Sequence, residues 1–242
     1  MNQPTHDTMP EALAGARIDD AVMALRPDYR ALLLVATDVV GGPSDAASDA
    51  VLAEAERAAA ARLAGAPPES LPEVAAWREA FASFGVKPRR ARSSVEALLR
   101  RVDAGLPRID RLTDLYNAMS ISHLIPFGGE NLDAYQGPPH LARATGDEPF
   151  DTIAEGQPVT VTADPGEVVW RDGLGVTCRR WNWRQCVRTR LDEKTSSVLI
   201  ILDGLEPVTT DALYAAADDL TERLLTFSPE ARVSRRLLPA TG

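Results

Sequence analysis

The order in which hydrophobic patterns follow one another constrains the fold of this chain more than any other feature. Apolar side chains recur at helical spacing in 46–64 and 71–84, and helix start signals follow near residues 93 and 110. Short β-rich runs, separated by glycine, proline and aspartate, come later, at 141–144, 159–163, 167–171, 174–178 and 198–202. Because strands and helices do not alternate, we predict an α+β fold, with a mainly antiparallel sheet or barrel and flanking helices.

The first part of the chain divides into two segments. Residues 1–24 have no sustained period and are predicted to be a partly disordered leader. In 25–71, a buried strand over 29–40 ends at a Gly-Gly-Pro turn, and the helix 46–64 follows it. We expect this strand–helix lead-in to pack on the domain that comes after it.

Helix boundaries are marked most clearly at residues 93–96. The sequence SSVE places Ser93 three residues before Glu96, which is the spacing of a capping box. In that motif the serine accepts from the backbone near Glu96, and the glutamate reaches back to the backbone of the cap. A second start, at Asp110 or Thr113, opens a helix to about residue 122.

Charge and composition limit the classes of partner. The net charge of -9 argues against indiscriminate nucleic-acid binding, and we expect no DNA partner. Basic residues cluster locally, however: 78–111 holds nine basic and four acidic side chains, and 167–190 holds six and two. No apolar run approaches the length of a membrane span, and the first ten residues lack a secretory signal. We therefore expect a cytoplasmic protein without a membrane partner.

The cysteines and histidines do not suggest a metal site. Cys178 and Cys186 stand eight positions apart, and the three histidines do not complete a ligand pattern with them. We predict no metal, no cofactor and no structural disulfide.

Three groups of motifs, in one order and spacing, resemble a known family. The first has WREAF and FGVKP within 77–88, followed by SSVEALLRR at 93–101; the second has LPRI at 106–109, DLYNAMS at 114–120 and PFGGENLD at 126–133; the third has GEVVW at 166–170 and CRRWNWR at 178–184. Together they resemble the stand-alone branch of the B3/B4 domain, the editing module of the phenylalanyl-tRNA synthetase beta subunit. The resemblance covers about residues 72–227 and leaves 228–242 as a C-terminal tail.

The resemblance implies binding of a tRNA end, and in the synthetase module removal of mischarged tyrosine. Nothing resembles the synthetase's catalytic core or its anticodon-binding module, so aminoacylation is excluded. Gly128 stands where the editing domain has a histidine. The family's later Gly-Gly turn aligns roughly with Cys178-Arg179, and the acid of its later strand falls near Ile201. Binding therefore carries over better than hydrolysis.

Candidate substrate-binding residues come from two stretches. Asn117 offers an amide, Gly128 and Gly129 after Pro126 allow close backbone approach, and Glu130 or Asp133 can hold an amine or activate water. His123 could replace the missing histidine, although a histidine near a helix end more often binds a backbone carbonyl. In the other stretch, alternation along a strand predicts one polar face and one tryptophan face; its candidates are Arg180, Trp181, Asn182 and Arg184.

Candidate tRNA-binding residues are arginines, whose guanidinium groups suit phosphates. They are Arg89, Arg90, Arg92 and Arg179. Two hypotheses remain open for the chain. It is a tRNA-binding module that deacylates mischarged aminoacyl-tRNA in trans, or it is a non-catalytic module that binds an amino acid or a related small ligand.

Overall fold

The strand predicted at 29–40 lies at the centre of the molecule, where both of its faces are buried. In the computed structural model, which describes residues 9–87 and 89–239, this strand is β2 (Arg30–Thr37). The helices are α1 (Glu11–Ala14), α2 (Asp20–Met23), α3 (Ala46–Leu63), α4 (Pro72–Ser83), α5 (Ser94–Leu99), α6 (Arg111–His123) and α7 (Thr210–Phe227). The other strands are β1 (Arg17–Ile18), β3 (Phe127–Asn131), β4 (His140–Arg143), β5 (Pro149–Ala154), β6 (Gln157–Thr162), β7 (Val168–Arg171), β8 (Val176–Arg179), β9 (Arg184–Gln185), β10 (Val198–Gly204) and β11 (Arg232–Leu238).

The strands form three sheets. One has the order β11-β2-β10-β3 and is antiparallel throughout. A second has the order β1-β4-β7-β8-β9, with β1 and β4 parallel, and β5 pairs with β6 in a hairpin. Neither larger sheet closes on itself. The α+β prediction is confirmed, and of its two alternatives the open antiparallel sheet is the one observed.

Local capping explains where the longer helices begin. Asp45 caps α3 in a capping box with Ser48, Asp110 caps α6 and Thr209 caps α7. The apolar face of α7 packs on β2 and β10, and α6 packs between α7 and α3. Because α7 contacts both α6 and β10, these contacts fix the two elements relative to each other.

The Ser93–Glu96 capping box is only half formed. The Ser93 hydroxyl accepts from the Glu96 amide at 3.4 Å, as predicted. The Glu96 carboxylate does not reach back, because it is buried and binds guanidinium groups of Arg78 and Arg100, at 2.6 and 3.0 Å. A charged partner binds a carboxylate more strongly than a neutral amide does.

Three stretches are more ordered than the sequence predicted. Within the predicted leader, residues 9–24 contain α1, β1 and α2, with Leu13 and Val22 buried; residues 1–8 lie outside the described part of the chain. The predicted tail contains β11, which pairs with β2. Residues 126–129, where the glycines were expected to allow close backbone approach, lie mostly in strand β3. In each case the stretch is ordered because it pairs with a segment that is distant in sequence. The local sequence pattern does not predict such a partner. No helix in the described residues is long and apolar enough to cross a membrane.

Candidate functional site

A cavity of about 220 Å³ opens between α5, α6 and the facing surfaces of the two larger sheets. It combines an apolar interior with several buried polar groups, which is typical of small-molecule sites. Its lining residues are Ser94, Ala97, Leu98, Arg101, Tyr116, Asn117, Phe127, Gly128, Glu130, Trp170, Cys178, Trp181, Asn182, Trp183, Arg184, Gln185, Ile201 and Asp203. We refer to this space as the cavity.

The floor of the cavity comes from two neighbouring strands. Gly128 of β3 lies opposite Ile201 of β10, and Glu130 lies opposite Leu199. Because side chains alternate along a strand, Glu130 and Gly128 share one face with Ile201 and Asp203. The floor therefore runs from Asp203, past Ile201 and Gly128, to Glu130.

Glu130 is a buried acid with neutral partners. The Tyr135 hydroxyl donates to its carboxylate and lies 3.2 Å from the Thr177 hydroxyl. Burial raises the pKa of Glu130 to about 7, against the lowering effect of hydrogen bonds from Tyr135, Thr189 and Thr177. A carboxyl group that titrates near neutral pH can accept or release a proton under physiological conditions.

Asp203 is the second buried acid of the floor. It accepts from the Tyr29 hydroxyl at 2.5 Å and from Asn182 Nδ2 at 3.1 Å. Burial raises the pKa of Asp203 to about 7, although these donors lower it. No arginine, lysine or histidine of residues 9–87 and 89–239 forms an ion pair with Asp203 or Glu130. The cavity thus contains two acids without a cationic partner.

The turn between β8 and β9 shapes the wall. Arg180 and Trp181 both have left-handed backbone angles, with φ of 47° and 67°, which are uncommon for residues other than glycine. This turn places the Trp181 ring in the core, where it contacts Tyr29 and Trp77 edge to face at centroid distances of 4.8 and 5.5 Å. The two-faced strand predicted for 180–184 is therefore wrong.

Trp183 forms the rim of the cavity. The guanidinium groups of Arg180 and Arg184 stack on its ring, at 4.4 and 4.5 Å from the centroid. Arg184 is exposed, whereas Arg180 also approaches Asp164 at 3.3 Å. The predicted separation of arginines from tryptophans fails because a turn, unlike a strand, brings neighbouring side chains together.

A basic groove of about 350 Å³ adjoins the cavity, and its residues are Arg90, Ala91, Arg92, Ala97, Arg100, Arg101, Trp183 and Arg184. Ala97, Arg101, Trp183 and Arg184 line both the groove and the cavity. A neighbouring depression adds Lys87 and Arg89 to the same basic surface. Three of the four predicted tRNA-binding arginines, Arg89, Arg90 and Arg92, therefore lie on this surface.

Of the ten predicted substrate-binding residues, six line the cavity and four lie outside it. Those that line the cavity are Asn117, Gly128, Glu130, Trp181, Asn182 and Arg184. Four others do not line it. Pro126 is buried directly before β3, Gly129 packs on the Tyr116 ring, Asp133 is exposed and Arg180 turns toward Asp164.

Two further residues do not act where the sequence suggested. Arg179 is bound at 2.6 Å by the buried carboxylate of Glu167, so its charge is already balanced and it lies outside the basic groove. His123 is 2.9 Å from Asp219 of α7, neither capping a helix end with a backbone carbonyl nor reaching the cavity.

Sequence reasoning missed Asp203, although the sequence contains a signal for it. It is the one charged residue of β10, directly after the apolar run 198–202, and a carboxylate in such a place is costly to bury. The acid of the family's later strand was expected near Ile201; Asp203 lies two positions beyond, on the same face. Tyr116, Trp170, Gln185 and Arg101 of the cavity gave no such signal.

The cysteines are not reactive groups. Cys178 lines the cavity and Cys186 lies 3.2 Å from the Thr189 hydroxyl. Burial raises the pKa of both thiols, so neither is a ready nucleophile at neutral pH. Within the described ranges, histidine, cysteine and acidic side chains form no cluster that could hold a metal ion.

Comparison with known proteins points to one family. The family model for the B3/4 domain matches residues 76–227, more than half of the 242-residue chain. A search of curated protein sequences gives no match. Among solved structures, an N-terminal fragment of the phenylalanyl-tRNA synthetase beta subunit from Pyrococcus horikoshii superimposes with a TM-score of 0.47 and 12% identity. The alignment covers 93% of this chain and 54% of that fragment, so the chain spans about half of the fragment's length.

Proposed function

Because the chain belongs to the B3/4 domain family, we propose that the cavity binds the aminoacyl end of an aminoacyl-tRNA and that the basic groove binds the phosphates next to it. An aminoacyl ester has an ammonium group but no carboxylate, and it is joined to a polyanion. The site has the complementary arrangement, with two acids at the cavity floor and arginines at its mouth.

The observation that supports this proposal most is the wall shared by the two spaces. A ligand that enters the cavity from the groove passes Arg101, Trp183 and Arg184, which line both spaces. The Trp183 ring offers a surface on which a base can stack, and the exposed guanidinium groups can bind phosphates. With a net charge of -9, affinity for RNA must come from this local basic surface.

Deacylation is the finer part of the proposal. Among the described residues no histidine lines the cavity, and burial raises the pKa of the Cys178 thiol, so we assign water as the nucleophile of hydrolysis. Glu130, with a pKa of about 7, is the group suited to accept a proton from that water. Three amide residues line the cavity, and Asn182 and Gln185 already donate to Asp203 and to the Gly129 carbonyl, so we assign Asn117 to orient the ester.

A second candidate function is binding without hydrolysis. It is favoured by Gly128, which occupies the floor position where the editing domain has a histidine. In that case free amino acids or related amines bind the cavity, and tRNA affinity is negligible near physiological salt.

A filter-binding titration at three salt concentrations separates the two functions. Arg90→Ala and Arg184→Ala should each weaken tRNA binding and lower the slope of log affinity against log salt by about 0.7 to 0.9, the value for one lost phosphate contact. Arg57→Ala, on the exposed side of α3, is the matched control and should change neither. Negligible tRNA binding at all three concentrations would leave only the small-ligand function.

Hydrolysis needs its own assay. A panel of mischarged tRNAs is incubated with the protein, and loss of the aminoacyl group is measured. Glu130→Gln should abolish deacylation while retaining tRNA binding, since it removes the proton acceptor and keeps the basic groove. Equal deacylation by Glu130→Gln and the unchanged protein would exclude Glu130 as the base.

A further inference from the structure

The amide of Gln185 is anchored at one end only. Gln185 belongs to β9 and lines the cavity, and its amide lies 2.9 Å from the Gly129 carbonyl oxygen. A carbonyl oxygen accepts hydrogen bonds and does not donate them, so the amide atom that faces it is the Nε2 donor. This bond fixes the orientation of the amide and leaves its Oε1 atom to accept from another group.

The same amide lies over the middle of the cavity floor. A Cβ atom on Gly128 would come within 3.3 Å of Gln185 Nε2, so a glycine at this position leaves room for the amide. Across the β8–β9 pairing, Gln185 stands opposite Cys178. Burial, and then the charges of Glu130 and Asp203, raise the pKa of the Cys178 thiol. This part of the cavity is therefore within electrostatic reach of both floor acids.

The Oε1 atom of Gln185 is open to a ligand. No donor in the described part of the chain forms a hydrogen bond with it. The polar atoms around the cavity that are both buried and without a partner are Ser94 Oγ, Trp170 Nε1, Trp181 Nε1 and Asn182 Oδ1. Gln185 Oε1 is not one of these sealed atoms, so a molecule over the floor can donate to it.

These acceptors suit a cationic donor. Glu130 and Asp203 have no cationic partner among the described residues, and Gln185 Oε1 has no donor. An aminoacyl ester carries one group that is both cationic and rich in donors, its α-ammonium group with three N–H bonds. The α-nitrogen is two bonds, roughly 2.5 Å, from the ester carbon. A residue that holds the ammonium group therefore also fixes the position of the ester carbon.

Resting on the function proposed above, we propose that Gln185 binds the α-ammonium group of the aminoacyl ester. Oε1 accepts one of its N–H bonds, while Nε2 stays on the Gly129 carbonyl. That carbonyl belongs to the peptide bond between Gly129 and Glu130, so the amide is anchored to the backbone beside the proposed base. The substrate class follows from this contact: esters with a free α-amino group bind, and peptidyl or other N-acylated esters, whose α-nitrogen is uncharged, bind more weakly.

Matched pairs of amides test the contact, because they cannot be consumed by ester hydrolysis. The pairs are L-alaninamide and propanamide, L-leucinamide and 4-methylpentanamide, and L-phenylalaninamide and 3-phenylpropanamide; the members of each differ only in the α-amino group. Isothermal titration calorimetry at pH 7 and low salt gives the affinities, since an α-amino group with a pKa of about 8 is then charged. In the pair that binds most tightly, we expect the α-amino amide to bind at least about tenfold more tightly, the size of one hydrogen bond to a charged group.

Variants of Gln185 assign this advantage to its oxygen. Gln185→Met keeps the length of the side chain and removes the acceptor, so it should weaken the α-amino amide about tenfold and leave its counterpart within about twofold. Gln185→Glu keeps an acceptor in either protonation state and should retain the advantage. Gln157→Met, exposed at the start of β6, is the matched control and should change neither affinity.

A purely structural role of Gln185 gives a different result, because loss of the Gly129 anchor would weaken both members of a pair equally. That outcome overturns the proposal, as does equal binding within every pair, or no binding of any amide, by the unchanged protein. Thermal unfolding verifies that each variant folds; if Gln185→Met does not, loss of the advantage in Gln185→Glu overturns the proposal and its retention supports it.

The proposed function fails or stands separately, because tRNA binding is measured through the basic groove. Tight tRNA binding combined with equal binding within the pairs would reject the role of Gln185 and retain the tRNA-binding function. A clear preference for the α-amino amides without tRNA binding would do the reverse.

Discussion

At the scale of single residues, the two floor acids give the cavity its chemistry at a cost in stability. A buried carboxyl group with neutral partners favours its protonated form, which is why the pKa values of Glu130 and Asp203 lie near 7. The unfolded chain has ordinary values near 4. Between about pH 4 and pH 7 the folded protein therefore holds more protons than the unfolded chain.

This difference fixes the direction of a pH effect. The free energy of unfolding that these acids contribute is fully present below about pH 4 and is lost as the pH rises through 7, by up to about 4 kcal/mol for each group. Glu130→Gln removes one such group. We predict that its stability relative to the unchanged protein increases from pH 5 to pH 8, measured by urea unfolding. A constant difference across this range would show that Glu130 has an ordinary pKa.

Some residues of the site could be predicted from the sequence, and others could not. Asn117, Glu130 and Asn182 were predicted because polar residues stood within motifs of a family, and all three line the cavity. Trp181 was also named, but its left-handed backbone was not foreseeable. Its conformation depends on packing against Tyr29 and Trp77, which are more than 100 positions away in sequence.

At the scale of elements, α5 is held by one buried acid. Glu96 binds Arg78 and Arg100 at 2.6 and 3.0 Å and approaches Arg92 at 3.4 Å. These guanidinium groups lower the pKa of Glu96, although its burial opposes them. Arg92 and Arg100 also line the basic groove, so Glu96 positions the cations proposed to bind phosphates.

Removing the charge of Glu96 tests this role. Glu96→Gln leaves several guanidinium groups around a neutral amide, and breaking a buried ion pair in this way costs roughly 3 to 5 kcal/mol, with the lower end expected here because the arginines are partly exposed. Glu79→Gln, exposed on α4, should change stability by less than about 0.5 kcal/mol. Urea unfolding at neutral pH measures both. Equal stabilities would mean that the arginines are solvated and that Glu96 does not organise them.

Elements defined by local signals were predicted with nearly correct bounds. α3, α4 and α6 begin beside caps or a first-turn proline and show a helical period, and each begins and ends within a few residues of its prediction. β3 and β11 lack such signals, since the whole of β3 reads FGGEN and β11 contains three arginines. They are strands because β10 and β2 provide partners, and no property of either segment alone specifies that pairing.

At the scale of the whole molecule, the central sheet joins segments that were predicted to belong to separate regions of the chain. β2 comes from the predicted lead-in, β11 from the predicted tail, and β10 and β3 from the B3/B4-like region. Since β10 supplies Ile201 and Asp203 to the cavity and pairs with β2 along seven residues, the site depends on strands outside the region that resembles the family.

The sheet order makes a truncation informative. Deleting residues from 232 onward removes β11, which pairs with β2 at seven positions and buries Leu238. This exposes the edge of β2 and removes at least one buried leucine, worth about 2 kcal/mol. We predict a loss of at least about 3 kcal/mol in the free energy of unfolding, together with aggregation through the exposed edge. Thermal unfolding and size-exclusion chromatography measure the two effects.

A shorter truncation, which removes only 240–242, is the control for chain length and should behave like the full chain. If deletion of β11 leaves stability and monomer content unchanged, residues 228–242 are a C-terminal tail that the fold does not need. If stability falls as expected, deacylation of mischarged tRNA should fall with it. The reason is that β2 pairs with one edge of β10, and Asp203 of β10 lies at the end of the cavity floor.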